Sequence, residues 1–95
     1  MLVTGKEAIR KFQRKHSNSR RPLNRFVALV EEATWRHMAD VRAPFSATDF
    51  DSESQTYIFN IAGNNYRLVA ALDLELQQLH VEAVLTHAEY DKERQ

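Results

Sequence analysis

Apolar side chains recur at helical spacing through the first third of the chain and at strand spacing through its last forty residues. Met1-Leu2-Val3 reads as a short strand. Thr4 and Glu7, three apart, have the hydroxyl–carboxylate pattern of a capping box opening a helix. That helix places Ile9, Phe12 and His16 on one side, with Lys6, Arg10, Lys11, Arg14 and Lys15 around the rest. Asn18 and Ser19 end it. A second helix starts near Arg21-Pro22, where proline's missing N–H is not needed. Its stripe is Leu23, Phe26, Val27, Val30 and Ala33 or Thr34, the i, i+3, i+4, i+7 pattern of an amphipathic helix. The two helices are expected to form a hairpin with Arg20, Arg21 and Arg25 on its rim. Residues 35–54 show no sustained period beyond a turn at His37 to Val41, and read as a long connection anchored by Phe45 and Phe50.

From Thr56 the period becomes two. Thr56 to Ala62 and Asn65 to Asp73 read as strands joined by Gly63-Asn64, a two-residue loop suited to a tight hairpin. That loop sets Ile61 opposite Tyr66, Phe59 opposite Leu68 and Tyr57 opposite Ala70 on one face. Asn60 then faces Arg67, and Ile58 faces Val69, on the other. Turn and apolar pattern agree, which pins the register. A third strand, Gln77 to Leu85, follows Leu74-Glu75. Simple alternation gives Leu79, Val81 and Ala83 to the core, and His80 and Glu82 to the outer face, with Glu82 opposite Arg67. His87 to Lys92 can form a helical turn. The pattern predicts an α+β fold, two N-terminal helices packed on one face of a small, mostly antiparallel sheet.

The chain has 95 residues, 43% of them apolar and 27% charged, which suits one globular domain spanning residues 1–95. It has no cysteine, which removes disulfides, zinc–thiolate sites and cysteine catalysis from consideration. No apolar run reaches the length of a membrane span and no signal-peptide core opens the chain, so a soluble cytoplasmic protein without a membrane partner is expected. The formal net charge is zero, but it is unevenly spread. Residues 1–44 carry ten Lys/Arg against four acids, and residues 45–95 carry three, Arg94 among them, against nine. The division fits a face for a polyanion, and on charge alone more simply two ordinary solvated halves.

Candidate chemistry is narrowed by what the motifs lack. His16, His37, His80 and His87 have no metal-ligand spacing, and with only Gly5 and Gly63 there is no glycine loop for nucleotide phosphates. No metal or other cofactor is expected. Asn60 and Arg67 remain, side by side on the hairpin, with His87 and Tyr90 just past the third strand. Guanidinium groups clamp phosphate oxygens, and imidazole and phenol move protons, a set suited to a phosphodiester. From spacing alone the same residues read more simply as an Arg67–Glu82 cross-strand ion pair, a hairpin asparagine and a covering tail.

The run Tyr57-Ile58-Phe59-Asn60-Ile61-Ala62-Gly63-Asn64-Asn65-Tyr66-Arg67-Leu68-Val69, together with Thr86-His87-Ala88-Glu89-Tyr90-Asp91, resembles the HigB family of bacterial toxins within the RelE-like group. The resemblance covers nearly the whole chain, Trp35 included. It implies a metal-independent, ribosome-dependent messenger-RNA endonuclease in which the RNA's 2′-hydroxyl attacks the phosphodiester. It further implies inhibition of translation and neutralisation by a HigA-like helix-turn-helix antitoxin, through which operator DNA is met only indirectly. On that model Arg67 stabilises the phosphorane, His87 and Tyr90 share acid–base work and Asn60 orients the backbone. Lys11, Arg14, Lys15, Arg20, Arg21 and Arg25 would dock on ribosomal RNA. Relatives are often basic, and several carry a basic residue where this chain has Glu82. The alternative is therefore a weak or inactive homologue that serves as an antitoxin-binding module and co-repressor.

Overall fold

A computed structural model describes residues 1–93; Arg94 and Gln95 lie outside the described residues. Five strands, β1 (Leu2–Thr4), β2 (Asp49–Asp51), β3 (Thr56–Ile61), β4 (Tyr66–Asp73) and β5 (Gln78–Thr86), form one sheet in the order β1-β5-β4-β3-β2. The helices are α1 (Lys6–Lys15), α2 (Arg20–Glu32), α3 (Met38–Arg42) and α4 (His87–Glu93), with a single tight turn at Ser17–Ser19 between the first two. This is the expected α+β architecture. β1 lies parallel to β5, and the other pairings are antiparallel.

The helices bury the faces that their periodicity marks. Ile9 and Phe12 of α1, and Leu23, Phe26 and Val30 of α2, meet Phe59, Ile61, Leu68, Ala70, Leu79 and Val81 from the sheet. Each large side chain so buried is favourable by about 1.5–3 kcal/mol over its exposed state. Trp35 is also in this core, and Phe45 packs at its margin against Phe26 and Phe59. Gln77 holds the segment after α2: its side-chain amide accepts from the Trp35 N–H (3.2 Å) and donates to the Trp35 carbonyl (2.6 Å).

Four expectations need correction. The Thr4/Glu7 capping box does not form: Gly5 occupies the N-cap at φ 76° without a side-chain cap, and the Thr4 hydroxyl instead bonds His80 Nδ1 at 2.8 Å. The connection over residues 35–54 has its expected turn, as α3, but also contains the edge strand β2, too short to show a period. Phe50 is no core anchor; it lies 45% exposed on β2, its ring 4.8 Å from that of Tyr57. The fourth correction concerns β5. Its pairing runs Arg67–Leu85, Leu68–Val84 and Val69–Ala83, then shifts to Ala70–Val81 and Ala71–His80. Glu82 is thus the extra residue of a β-bulge. The bulge reverses alternation beyond it, so Val84 enters the core and Ala83 leaves it. Glu82 is exposed and is not opposite Arg67, so the Arg67–Glu82 ion pair does not exist.

Candidate active site

The β3–β4 hairpin has the register its turn dictates. Asn60 pairs with Arg67, Ile61 with Tyr66 and Phe59 with Leu68. Left-handed backbone falls on Ala62 (φ 55°) and Gly63 (φ 65°), and the Asn65 N–H closes the turn on the Ala62 carbonyl at 3.3 Å. Since Tyr66, Leu68 and Ala70 face the helices, Arg67 points to the opposite face. On a two-layer fold that face would meet water, yet Arg67 is only 8% exposed. α4 turns back over it.

The start of α4 explains why. The Thr86 N–H donates to Glu89 Oε1 at 2.8 Å, and the Glu89 N–H donates to the Thr86 hydroxyl at 3.1 Å. This is a reciprocal capping box, and its Thr-x-x-Glu spacing is plain in the sequence, although the family resemblance alone had drawn attention to those residues. The His87 N–H donates to the Asn65 carbonyl at 2.9 Å, fastening the helix to the hairpin. The Thr86 N–H holds the Glu89 carboxyl below its ordinary 4.5, helped by the Thr86 hydroxyl and by the nearby His16 and Lys15 and opposed by slight burial.

Arg67 is the hub. One guanidinium nitrogen, Nη1, donates to the carbonyls of Asn64 and Tyr66, both at 3.2 Å. The other, Nη2, donates to Asn64 Oδ1 at 3.0 Å and to His87 Nδ1 at 2.9 Å. A guanidinium has no acceptor, so His87 Nδ1 must be the unprotonated nitrogen. The neutral ring then carries its proton on Nε2, which lies 3.1 Å from Asp91 Oδ2. The guanidinium carbon is 5.8 Å from the Tyr90 ring centroid, within cation–π range. Asn64 and Asp91 were not among the candidates the sequence offered. Each is local to its partner, Asn64 three residues from Arg67 and Asp91 four from His87, a spacing too common on hairpins and helices to single them out.

The remaining candidates divide by position. Asn60 is the cross-strand partner of Arg67 and also lines a cavity of about 580 Å³, beside Arg21 and Arg25 of α2. Lys11 and Lys15 line a smaller one with His16 and Glu89. Arg14 and Arg20 are exposed nearby, at the junction of α1 and α2. The C-terminal end of α1, the N-terminal half of α2, the β3–β4 turn and the start of α4 thus gather at one end of the sheet. Among the described residues, no group of three His, Asp or Glu could hold a metal ion, and no helix is long and apolar enough to cross a membrane.

Comparison with known proteins places these residues in a family. A family model described as the RelE-like toxic component of a toxin–antitoxin system, the HigB toxin model, matches residues 19–93. Among curated proteins, the chain is 26% identical over 93 residues to an mRNA interferase HigB of Escherichia coli O6:H1, covering 97% of this chain and 90% of that protein. It is 32% identical over 63 residues to the mRNA interferase toxin HigB of Escherichia coli K12, covering 65% of this chain and 61% of that protein. An mRNA interferase HigB of Shigella flexneri matches over the same extent.

Proposed function

Because the chain belongs to the HigB family of RelE-like toxins, we propose that it is a messenger-RNA endonuclease whose working centre is Arg67, His87 and Tyr90, with Asn60 positioning the RNA backbone. The observation that carries this is the contact between Arg67 Nη2 and His87 Nδ1, beneath the Tyr90 ring. With α4 closed, Arg67 spends its Nη2 donor on His87, and His87 spends its one lone pair on Arg67. A phosphate oxygen that replaces His87 at Nη2 undoes both at once. Arg67 then holds the phosphate, and Nδ1 becomes free to take a proton.

The chemistry follows from that exchange. His87 Nδ1 accepts the proton of the RNA 2′-hydroxyl as the 2′-oxygen bonds to phosphorus. The P–O5′ bond breaks, and the Tyr90 hydroxyl gives its proton to the departing 5′-oxygen. The products are a 2′,3′-cyclic phosphate and a free 5′-hydroxyl. Asp91, on the far side of the ring, stabilises the imidazolium that forms. Arg67 offsets the added negative charge of the phosphorane, a contribution typically of about 10²–10³ in rate. Lys11, Arg14, Lys15, Arg20, Arg21 and Arg25 supply phosphate contacts that position the protein on ribosomal RNA without reading sequence. The partner that silences the toxin is a HigA-like antitoxin with a helix-turn-helix domain, which carries the pair to operator DNA.

A second reading, an antitoxin-binding module with little nuclease activity, is favoured by one observation: Nη1 and Nη2 of Arg67 are already engaged by Asn64, Tyr66 and His87. Glu82, which had suggested it, gives it no support, being exposed on the bulge away from Arg67. Expression without antitoxin separates the two readings, scored by growth and by cleavage of ribosome-bound mRNA. Arg67→Lys keeps the charge but loses the fork and should lower cleavage by roughly 10²-fold or more. Tyr90→Phe and His87→Ala should each cost less than the two together, because acid–base contributions overlap. Full cleavage by Arg67→Lys removes Arg67 from the mechanism; no cleavage by the parent leaves the binding module.

A further inference from the structure

Next to the Arg67 cluster, on the same outer face, a cavity of about 190 Å³ lies between β3, β4, β5 and α4. Its floor is Ile58, Val69 and Leu85, and one wall is Tyr90. Ile58 and Val69 are cross-strand partners, as are Asn60 and Arg67, so the floor begins two residues, about 7 Å, along the strands from the proposed phosphate position. Tyr90 borders both. At the rim, Asp51, Ser54 and Thr56 add polar groups to an otherwise apolar slot.

The rim has a definite hydrogen-bonding character. Ser54 Oγ and Thr56 Oγ1 bond each other at 2.6 Å, which uses one of their two hydroxyl protons. Asp51 Oδ1 accepts the Glu53 N–H at 3.0 Å, and Oδ2 has no partner among the described residues. The rim is therefore rich in acceptors and carries a negative charge. A second phosphate is repelled there. A flat, uncharged heterocycle whose edge presents N–H donors fits both parts, its faces against the apolar floor and the tyrosine, its edge at Asp51.

We propose that this cavity is a nucleobase subsite, taking the base next to the phosphate held at Arg67, and that Asp51 makes it favour bases with an exocyclic amino group over uracil. This rests on the nuclease reading for its place in the reaction but not for its binding. Single-stranded RNA is commonly read in this way, by a splayed base stacked on aromatic or apolar side chains and hydrogen-bonded along its edge. A carboxylate is a natural acceptor for an amino group such as that of cytosine. Uracil offers one N–H between two carbonyls, and those carbonyls would face the Asp51 oxygens.

The test uses the full chain with labelled methyl groups and 2′-O-methyl hexanucleotides of A, C or U, which lack the attacking hydroxyl. The methyl resonances of Ile58, Val69 and Leu85 should shift saturably with the A and C oligomers and bind U roughly tenfold more weakly, while ribose 5-phosphate leaves them unmoved. Val69→Phe, which fills the slot, should weaken the A and C oligomers at least about tenfold, and Asp51→Asn should level the preference. Methyls that no oligomer moves at millimolar concentration, or that respond equally to ribose 5-phosphate or in Val69→Phe, overturn the subsite. So does Asp51→Asn with the preference intact, as regards the residue that reads the base. The nuclease reading fails separately. A parent that shows the methyl shifts but cuts no mRNA on ribosomes keeps the subsite and loses the activity, and a parent that cuts without the shifts does the reverse.

Discussion

A methyl group on Gly5 would run into the Val81 carbonyl oxygen and press on His80 Cε1 at 3.1 Å. The backbone there is also left-handed, at φ 76°, a region costly for residues with a Cβ. Gly5→Ala should therefore destabilise the fold by about 1–3 kcal/mol, read as a fall in the denaturant midpoint with unchanged slope. An unchanged midpoint would show that α1 can shift off β5 at little cost. Arg67 illustrates a different point about single residues. The hairpin register puts it on the face away from the apolar core, where a side chain would ordinarily be dispensable for folding. The face is right, but the side chain is buried and satisfies the carbonyls of Asn64 and Tyr66. Arg67→Ala would orphan both, which is why the lysine variant is the cleaner probe.

Among the elements, α3 and α4 both start at a carboxyl held below its ordinary value, Asp40 and Glu89 respectively, and α4 is the one that carries the candidate site residues. Glu89 lies below its ordinary 4.5 when the helix is formed, chiefly because the Thr86 N–H donates to it. A carboxyl lowered in the folded state contributes stability that is whole above its unfolded value and is lost as pH falls through the folded one. Amide exchange in α4 should thus accelerate, relative to the sheet, as pH falls through and below the ordinary 4.5, and Glu89→Gln should abolish that difference. An equal response in the variant would move the acid sensitivity to another group. The elements also show what sequence patterning can and cannot reveal. The β3–β4 pairing follows from a turn of fixed length between two alternating runs, so Asn60 opposite Arg67 was readable. β5 was readable only as far as its bulge, since one unpaired residue at Glu82 inverts every assignment beyond it and leaves no local mark. The hydrogen bond between Arg67 and His87 was out of reach for another reason: it joins segments 20 positions apart that only the tertiary fold brings together.

Across the whole molecule, the uneven charge becomes spatial. The cationic ends of α1 and α2 lie at the same end of the sheet as the hairpin turn and α4, and Arg21 and Arg25 share a cavity with Asn60. If that end meets ribosomal RNA, affinity should fall steeply with salt, by close to one power of salt concentration per phosphate neutralised. Replacing Arg20, Arg21 and Arg25 with Glu should abolish ribosome co-sedimentation while leaving the thermal midpoint nearly unchanged, since all three are exposed. Co-sedimentation that survives in the triple variant, with the same salt slope, assigns these arginines to another partner.

The parallel pairing of β1 with β5 also orders events in time. Thr4 and His80, bonded across that pair, are 76 positions apart, so β1 has no strand partner until almost the entire sheet exists. The α1–α2 hairpin needs no such closure and can assemble from local contacts, whereas distant pairing must first overcome loop-closure entropy. On the nuclease proposal, a chain emerging from a ribosome would therefore expose its cationic helices before the Arg67–His87 cluster exists, and the machinery that makes it would be spared until synthesis has passed Thr86. Refolding from denaturant offers the measurement. Trp35, the chain's one tryptophan, is clasped through its backbone by Gln77 just before β5. Helical circular dichroism should recover ahead of Trp35 fluorescence, and coincident recovery would mean that the sheet and the helices form in a single step.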